Sequence, residues 1–329
     1  MYGITRGFAI PLIAVFCAGL VAGTVMPTWG QVVLRAGHNQ ISEYPHGKII
    51  VYFADKVAER SKGSLKVQIF HQGTLGQERE LFEGMRLGTV DMAKTITSVI
   101  GNTVPEFGLF DLPYLFRDLD HQLQVLNGPV GKQLLAKLET ADVKGLFWME
   151  QGTRSFYLAK RAVRTPADLK GLKIRVMESP IMVDTINALG AAATPMPWGE
   201  LYTSLRQGVV DGAENAPDAI ATSKQYEVAK FYAMTDHFRT PTLFMISLKT
   251  WGRLSEEHRQ ILLDASKEAA DWGKNLYSQE AAEYMKKLRA AGMEIIEVDR
   301  EPFRKAVEPV YQKYGAKFGW DLIRSIRGQ

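Results

Sequence analysis

At 329 residues, with 46% hydrophobic and 23% charged side chains, the chain has the composition of a folded globular protein and the length of two average αβ domains. A formal charge of +4 without any basic run argues against nucleic acid as a partner. The single cysteine, Cys17, lies in an apolar N-terminal stretch, so the chain beyond it offers no disulfide, thiolate metal site or cysteine nucleophile.

That stretch runs uncharged from Phe8 to Val25 behind Arg6, and the small residues Thr28 and Gly30 precede Gln31. A secretory signal peptide over 1–30 is expected, cleaved before Gln31, and with it a periplasmic location. An uncleaved anchor is the alternative, since the stretch approaches the ~20 residues that span a bilayer. Pro11, Gly19, Gly23 and Pro27 weaken such a helix, and bulky Phe16 before Cys17 argues against a lipoprotein signal.

Val32–Gly37 then reads as a strand, and Ile49, Ile50, Phe53 and Val57 share one face of a following helix. Lys62-Gly63-Ser64 turns the chain into a strand at Leu65–Phe70. Further strands are expected at Val90–Thr95 and Gly145–Glu150, with helices at His121–Leu126 and Val130–Leu138 between them. Thr165-Pro166 opens a short helix before the strand Leu172–Val176, and another helix runs to Leu189. After a strand at Thr242–Leu248, Ser255 caps a helical pattern that Gly292 stops, roughly 35 residues or about 50 Å long. Such a helix runs along more than one lobe. Gly273 near its middle is either a bend or a tolerated glycine. A strand at Met293–Val298 and a helix from Glu301 to Tyr314 close the pattern. Alternating strands and helices imply largely parallel sheets.

Residues 80–93 and 200–213 say nearly the same thing twice. Glu, Leu, Arg, Gly, Val, Asp and Ala coincide without a gap between Glu80-Leu81-Phe82-Glu83-Gly84-Met85-Arg86-Leu87-Gly88-Thr89-Val90-Asp91-Met92-Ala93 and the stretch from Glu200 to Ala213. Each copy is a helix stopped by glycine and followed by a short buried strand. Either two ordinary αβ steps match by chance, or the chain holds two similar lobes with a cleft between them; similar strands before both copies favour the lobes.

Ligands of open αβ sheets collect beyond the C-terminal ends of strands. That rule selects Lys94 to Ser98, Glu214 to Asp218, His38 with Asn39, and Arg154 after Gly145–Glu150. Arg175 has its own reason: alternation in Leu172-Lys173-Ile174-Arg175-Val176 puts Lys173 and Arg175 opposite the apolar face. The strand is either an edge with a wet face or the carrier of a guanidinium fork for a carboxylate. Catalytic signatures are absent. There is no Gly-rich dinucleotide turn, Gly128-Pro129-Val130-Gly131-Lys132 lacks the spacing and hydroxyl of a phosphate loop, and the histidines at 38, 46, 71, 121, 237 and 258 show no metal spacing. No catalytic residue, metal or cofactor is expected.

Several stretches resemble the substrate-binding proteins of tripartite ATP-independent periplasmic (TRAP) transporters, the DctP family. They are Gly76–Leu81, Val104–Phe107 with Leu112–Phe116, Gly152-Thr153-Arg154, Asp168–Met177, Pro195–Tyr202, Gln207–Gly212 and Glu214-Asn215. The resemblance implies an α/β, two-lobed periplasmic solute-binding fold, with chain crossings between lobes and a long C-terminal helix spanning both. Lobe I is expected at 31–151 plus 241–281 and lobe II at 152–240 plus 282–329. It also implies delivery of a small organic acid to the TRAP membrane permease subunits, by a protein expected to be a monomer. Arg175 matches the arginine that clamps the ligand carboxylate, Arg154 a second ligand-facing arginine, Trp198 an aromatic stacking position and Asn215 an orienting amide. His38, Asn39, Glu78 and His237 match pocket positions. One departure matters: Ala216 intervenes before Pro217, where the family often has Pro directly after Glu-Asn, which leaves the aim of Asn215 open. Lys94 aligns with Glu214 in the duplication and is expected to point into the cleft. A second cation suits a uronate or aldonate, with Glu78 and Asn39 taking hydroxyls, and equally a C4-dicarboxylate; the neutral groups nearby favour the sugar acid. A secreted enzyme on the same scaffold is the remote alternative.

Overall fold

The computed structural model describes residues 31–328 and Gly3, so the signal peptide expected over 1–30, Cys17 included, lies outside the described residues. Among the described residues no helix is long and apolar enough to cross a membrane.

The strands fall into two sheets. One contains β1 (Val32–Gly37), β2 (Leu65–Phe70), β3 (Met92–Ile96), β4 (Val143–Met149) and β10 (Thr242–Ser247), in the order β2-β1-β3-β10-β4. The other contains β5 (Arg154–Leu158), β6 (Lys173–Val176), β7 (Ala192–Pro195), β8 (Gly212–Asn215), β9 (Phe231–Phe238) and β11 (Glu294–Ile296), in the order β11-β9-β5-β8-β6-β7. Both sheets are largely parallel, as expected, with one reversed strand in each: β10 runs antiparallel to β3 and β4, and β5 antiparallel to β8 and β9. Each reversed strand is the one reached when the chain passes directly from the other sheet, β5 after β4 and β10 after β9.

The helices are α1 (Pro45–Arg60), α2 (Glu78–Leu87), α3 (Thr97–Ile100), α4 (Leu119–Asn127), α5 (Pro129–Lys137), α6 (Pro180–Ala188), α7 (Trp198–Gln207), α8 (Pro217–Thr222), α9 (Leu248–Arg253), α10 (Glu256–Ala290), α11 (Glu301–Ala306), α12 (Glu308–Phe318) and α13 (Trp320–Arg327). The closing segment is thus three helices rather than one, because Pro309 starts α12 and Gly319, at φ 88°, separates α12 from α13. Helix α10 spans the 35 residues expected, with the Ser255 side chain accepting from the His258 N–H at its start. Its first half packs Leu262, Ala265 and Ala269 with α1, and its second half packs Tyr284 and Leu288 with β8 and β9.

Helix α10 runs unbroken through Gly273. A Cβ at Gly273 would come within 2.7 Å of Ile49 Cδ1, so the glycine lets α1 approach α10 closely. Gly273→Val should displace the buried Ile49 and cost about 1–3 kcal/mol, read as a lower urea midpoint at unchanged slope.

The duplication extends to hydrogen bonds. Gly88 and Gly208 both take the left-handed conformation that ends α2 and α7. The N–H groups of Thr89 and Val90 return to the Gly84 carbonyl, and those of Val209 and Val210 to the Ser204 carbonyl. Asp91 accepts from the Arg35 N–H of β1 at 2.9 Å, and Asp211 from the Lys173 N–H of β6 at 2.8 Å. The shared glycine and aspartate therefore have local backbone tasks, and β1, β2 and β3 correspond to β6, β7 and β8. Residues 31–328 nevertheless form one compact unit, since a single buried core runs from Leu81 and Phe107 through Phe156 and Ile174 to Tyr311.

Candidate functional site

Under the correspondence of β1 with β6, Arg175 occupies the place of Gly37. It is 2% exposed while Lys173 is exposed, so only the second of the two alternating charges is buried. Nε and Nη2 donate to the Met196 carbonyl at 3.0 and 2.7 Å. Of the five N–H groups of a guanidinium, that leaves three, on Nη1 and the outer side of Nη2. Burial pulls the Arg175 pKa down, against the opposing influence of Tyr157 and Glu214. The guanidinium carbon lies 6.0 Å from the centroid of the Trp198 ring, at the first turn of α7. A cavity of about 20 Å³ here is lined by Arg175, Trp198, Asn39, Glu78, Gln77 and Glu178, drawn from both sheets' elements. Larger cavities, including one of about 720 Å³, lie elsewhere. Size does not select the site; the convergence of a buried cation, an indole and the polar side chains of Asn39, Gln77, Glu78 and Glu178 does.

Arg154 is placed differently from expectation. It opens β5, a strand not anticipated, rather than following β4 in a loop. Nε and Nη2 grip Glu214 at 2.6 and 2.8 Å, Nη2 also reaches the Glu214 carbonyl at 3.0 Å, and Nη1 donates to Asn215 Oδ1 at 2.9 Å. Burial works against its charge, but the attraction and hydrogen bonds of Glu214 outweigh it and hold the pKa above its ordinary value. Asn215 Oδ1 also accepts the Ala216 N–H at 2.9 Å. This N–H exists only because Ala216 stands where a proline would have none, and with the Arg154 donor it fixes the amide oxygen of Asn215 as an acceptor within the protein.

Lys94 and Glu78 form a 2.5 Å ion pair, with side chains 5% and 11% exposed, and Lys94 also reaches Asn39 Oδ1 at 3.4 Å. His38 Nε2 pairs with His71 Nδ1 at 2.7 Å, while its Nδ1 accepts from the Gln40 N–H, which fixes the Nε2-protonated tautomer. Burial, then Lys94 and His71, push the His38 pKa down to about 3. His237 stacks on Phe156 at 4.2 Å and is likewise lowered to about 3, by burial and then Arg154. Both rings are therefore neutral at pH 7. His237 Nε2, Gln77 Oε1 and the hydroxyls of Thr95 and Thr97 are buried without a hydrogen-bond partner among the described residues. The structure thus gathers Arg175, Trp198, Glu78 and Asn39 around one cavity, links Lys94 to that group, and keeps Arg154 and Asn215 in a buried network outside the lining. Gln77 and Glu178 were missed. Glu178 lies just past the end of β6, where the strand-end rule points, and Gln77 aligns with Pro197 in the duplication.

The profile of the family described as "Bacterial extracellular solute-binding protein, family 7" (DctP) matches residues 36–317. The chain belongs to this family. It is 34% identical over 317 residues to the 2,3-diketo-L-gulonate-binding periplasmic protein of Escherichia coli strain K12, covering 95% of this chain and 96% of that one. Among solved structures it is similar to a TRAP periplasmic solute-binding protein from Polaromonas sp. JS666 bound to D-erythronate, at 35% identity and a TM-score of 0.88, covering 90% and 98% of the two chains. A counterpart from Sulfitobacter sp. NAS-14.1 with bound β-D-galacturonate gives 33% identity and a TM-score of 0.87, covering 90% and 100%. The chain is thus a TRAP solute-binding protein of the two-lobed type.

Proposed function

We propose that this protein captures a sugar acid, a uronate or aldonate, in the cleft between its sheets and delivers it to the membrane permease of its transporter from the periplasm. The observation that carries the choice of ligand is the Lys94–Glu78 pair. With Lys94 paired to Glu78, and Arg79 of the same lining 70% exposed beside Glu178, Arg175 is the buried cation with donors to spare, which favours one buried carboxylate over the two of a C4-dicarboxylate. The proposed clamp is end-on, through Nη1 and the outer N–H of Nη2, with Trp198 against the sugar face. Asn215, Asn39 and Glu78 take hydroxyls, and His38 and His237 serve as neutral polar walls. Arg154 acts through Asn215, whose amide it orients. The sugar acids bound by the structural relatives, and the acid named for the Escherichia coli one, support the same reading.

A cavity of about 20 Å³ admits no sugar acid, so the proposed lobes, 31–151 plus 241–281 and 152–240 plus 282–329, must part for entry. Asn102 Nδ2 bonded to the Glu178 carbonyl at 2.6 Å is one contact that parting would break. In a thermal-shift panel of galacturonate, glucuronate, erythronate, galactonate, succinate and malate, a sugar acid at ~100-fold excess over its Kd should add roughly 2.7 kcal/mol of stability. A shift with succinate or malate alone would overturn the sugar-acid choice, and no shift with any acid would overturn the clamp.

A further inference from the structure

The two sheets share one plan, strand for strand: β2-β1-β3-β10-β4 corresponds to β7-β6-β8-β5-β9. The second sheet then continues. β11 pairs in parallel with β9 through Glu294, Ile295 and Ile296 and covers its edge. The equivalent strand in the first sheet, β4, is the last of its row. Where the pseudo-symmetry would place a sixth strand, there is instead a groove of about 720 Å³ beside β4, walled by Leu126 and Leu135 of the α4–α5 pair and by Leu263 and Ala270 of α10. Trp148 Nε1 and Glu150 Oε2, on residues 8% and 7% exposed that line this groove, are buried without a hydrogen-bond partner among the described residues. One is a donor and the other an acceptor, the pair that a peptide group satisfies. Lys132, Lys267 and Lys274 stand exposed at the rim against one exposed carboxylate, Asp271.

We propose that the open edge of β4 takes an extended, acidic segment of a partner protein as a sixth strand, in the place that β11 fills in the other sheet. Main-chain hydrogen bonds to β4 would supply the affinity and the lysine rim the preference for acidic side chains, as in other cases of strand addition. The groove lies outside the ligand cleft, and its lining shares no residue with it.

The test uses the full mature chain and two capped hexapeptides, one alternating Val with Glu and the other alternating Val with Lys. At millimolar concentration the Val/Glu peptide should slow amide hydrogen exchange within 143–149 by about tenfold or more, and the Val/Lys peptide should not. Lys267→Glu combined with Lys274→Glu should weaken the Val/Glu peptide about tenfold or more and leave sugar-acid affinity unchanged. Because exposed lysines also guard sheet edges against unwanted pairing, a β4 that neither peptide protects would mark a guarded edge and overturn the proposal. Equal protection by both peptides would overturn its charge preference. Protection by octanoate but not by peptide would make the groove a small-molecule site. A dimer in sedimentation that the double substitution dissolves would assign the edge to a second copy of the chain.

Discussion

Arg175→Ala is expected to abolish sugar-acid binding while leaving the fold intact. Truncating one member of a desolvated charge pair costs about 2–5 kcal/mol, a loss of roughly 30- to several-thousand-fold in affinity. The fold should tolerate the change, because without the acid Arg175 is a 2% exposed cation whose pKa burial already pulls down, held by the neutral Met196 carbonyl. Its removal relieves an imperfectly compensated charge. Arg175→Lys should bind poorly as well, since an ammonium cannot reach the Met196 carbonyl with two donors and present a fork at the same time. Arg35→Ala is the control: Arg35 is exposed on β1, where it lies over Phe70, and its loss should leave affinity unchanged. Calorimetric titration of the three variants decides the matter. Near-parental affinity in a folded Arg175→Ala protein would place the clamp elsewhere.

Arg154→Ala should do the opposite, damaging the fold first. Glu214 is fully buried, and four of the five Arg154 donors go to it, its carbonyl and Asn215. Removing one partner of a buried ion pair strands the other, at about 3–5 kcal/mol, which for a chain of this size lowers Tm by roughly 5–8 °C. Arg154→Met with Glu214→Leu should recover most of that stability, because the apolar pair leaves no orphaned charge. It should still bind sugar acid weakly, since Asn215 would lose a donor that fixes its oxygen. If the single variant melts with the parent protein, the pair does not carry the stability assigned to it here.

The features readable in the sequence are those with local causes. Gly88, Gly208, Asp91 and Asp211 each answer to a nearby backbone group, so their repetition showed a repeated unit before any tertiary contact was known. Ser255 and the helical period likewise fixed α10. The strands that escaped notice are the irregular ones. β7 is a half-exposed edge ending in Pro195, β9 holds Asp236 at φ 47° beside a register shift, and β5 begins on a charged residue. Arg175 was legible because a charge sits in an apolar alternation. The Arg154–Glu214 pair was not, because it depends on the antiparallel register of β5 and β8, which brings together residues 60 positions apart. The Lys94–Glu78 pair, which bears on ligand choice, was visible as two candidate residues but not as a mutual neutralisation.

The position of β10 in the middle of the first sheet dictates an order of assembly. β3 and β4 both pair with β10, whose first residue is Thr242, and β3 and β4 adjoin no other common strand. A growing or emerging chain therefore cannot complete its N-terminal sheet until nearly the whole C-terminal sheet has been delivered. Pairings this distant in sequence are slow to form because the loop must close before any contact rewards it. The N-terminal half is thus obliged to wait in an incomplete, still threadable form. The same interleaving means that neither sheet can be cut out with its helices and expected to fold alone, so the proposed binding site is complete only at the end of folding.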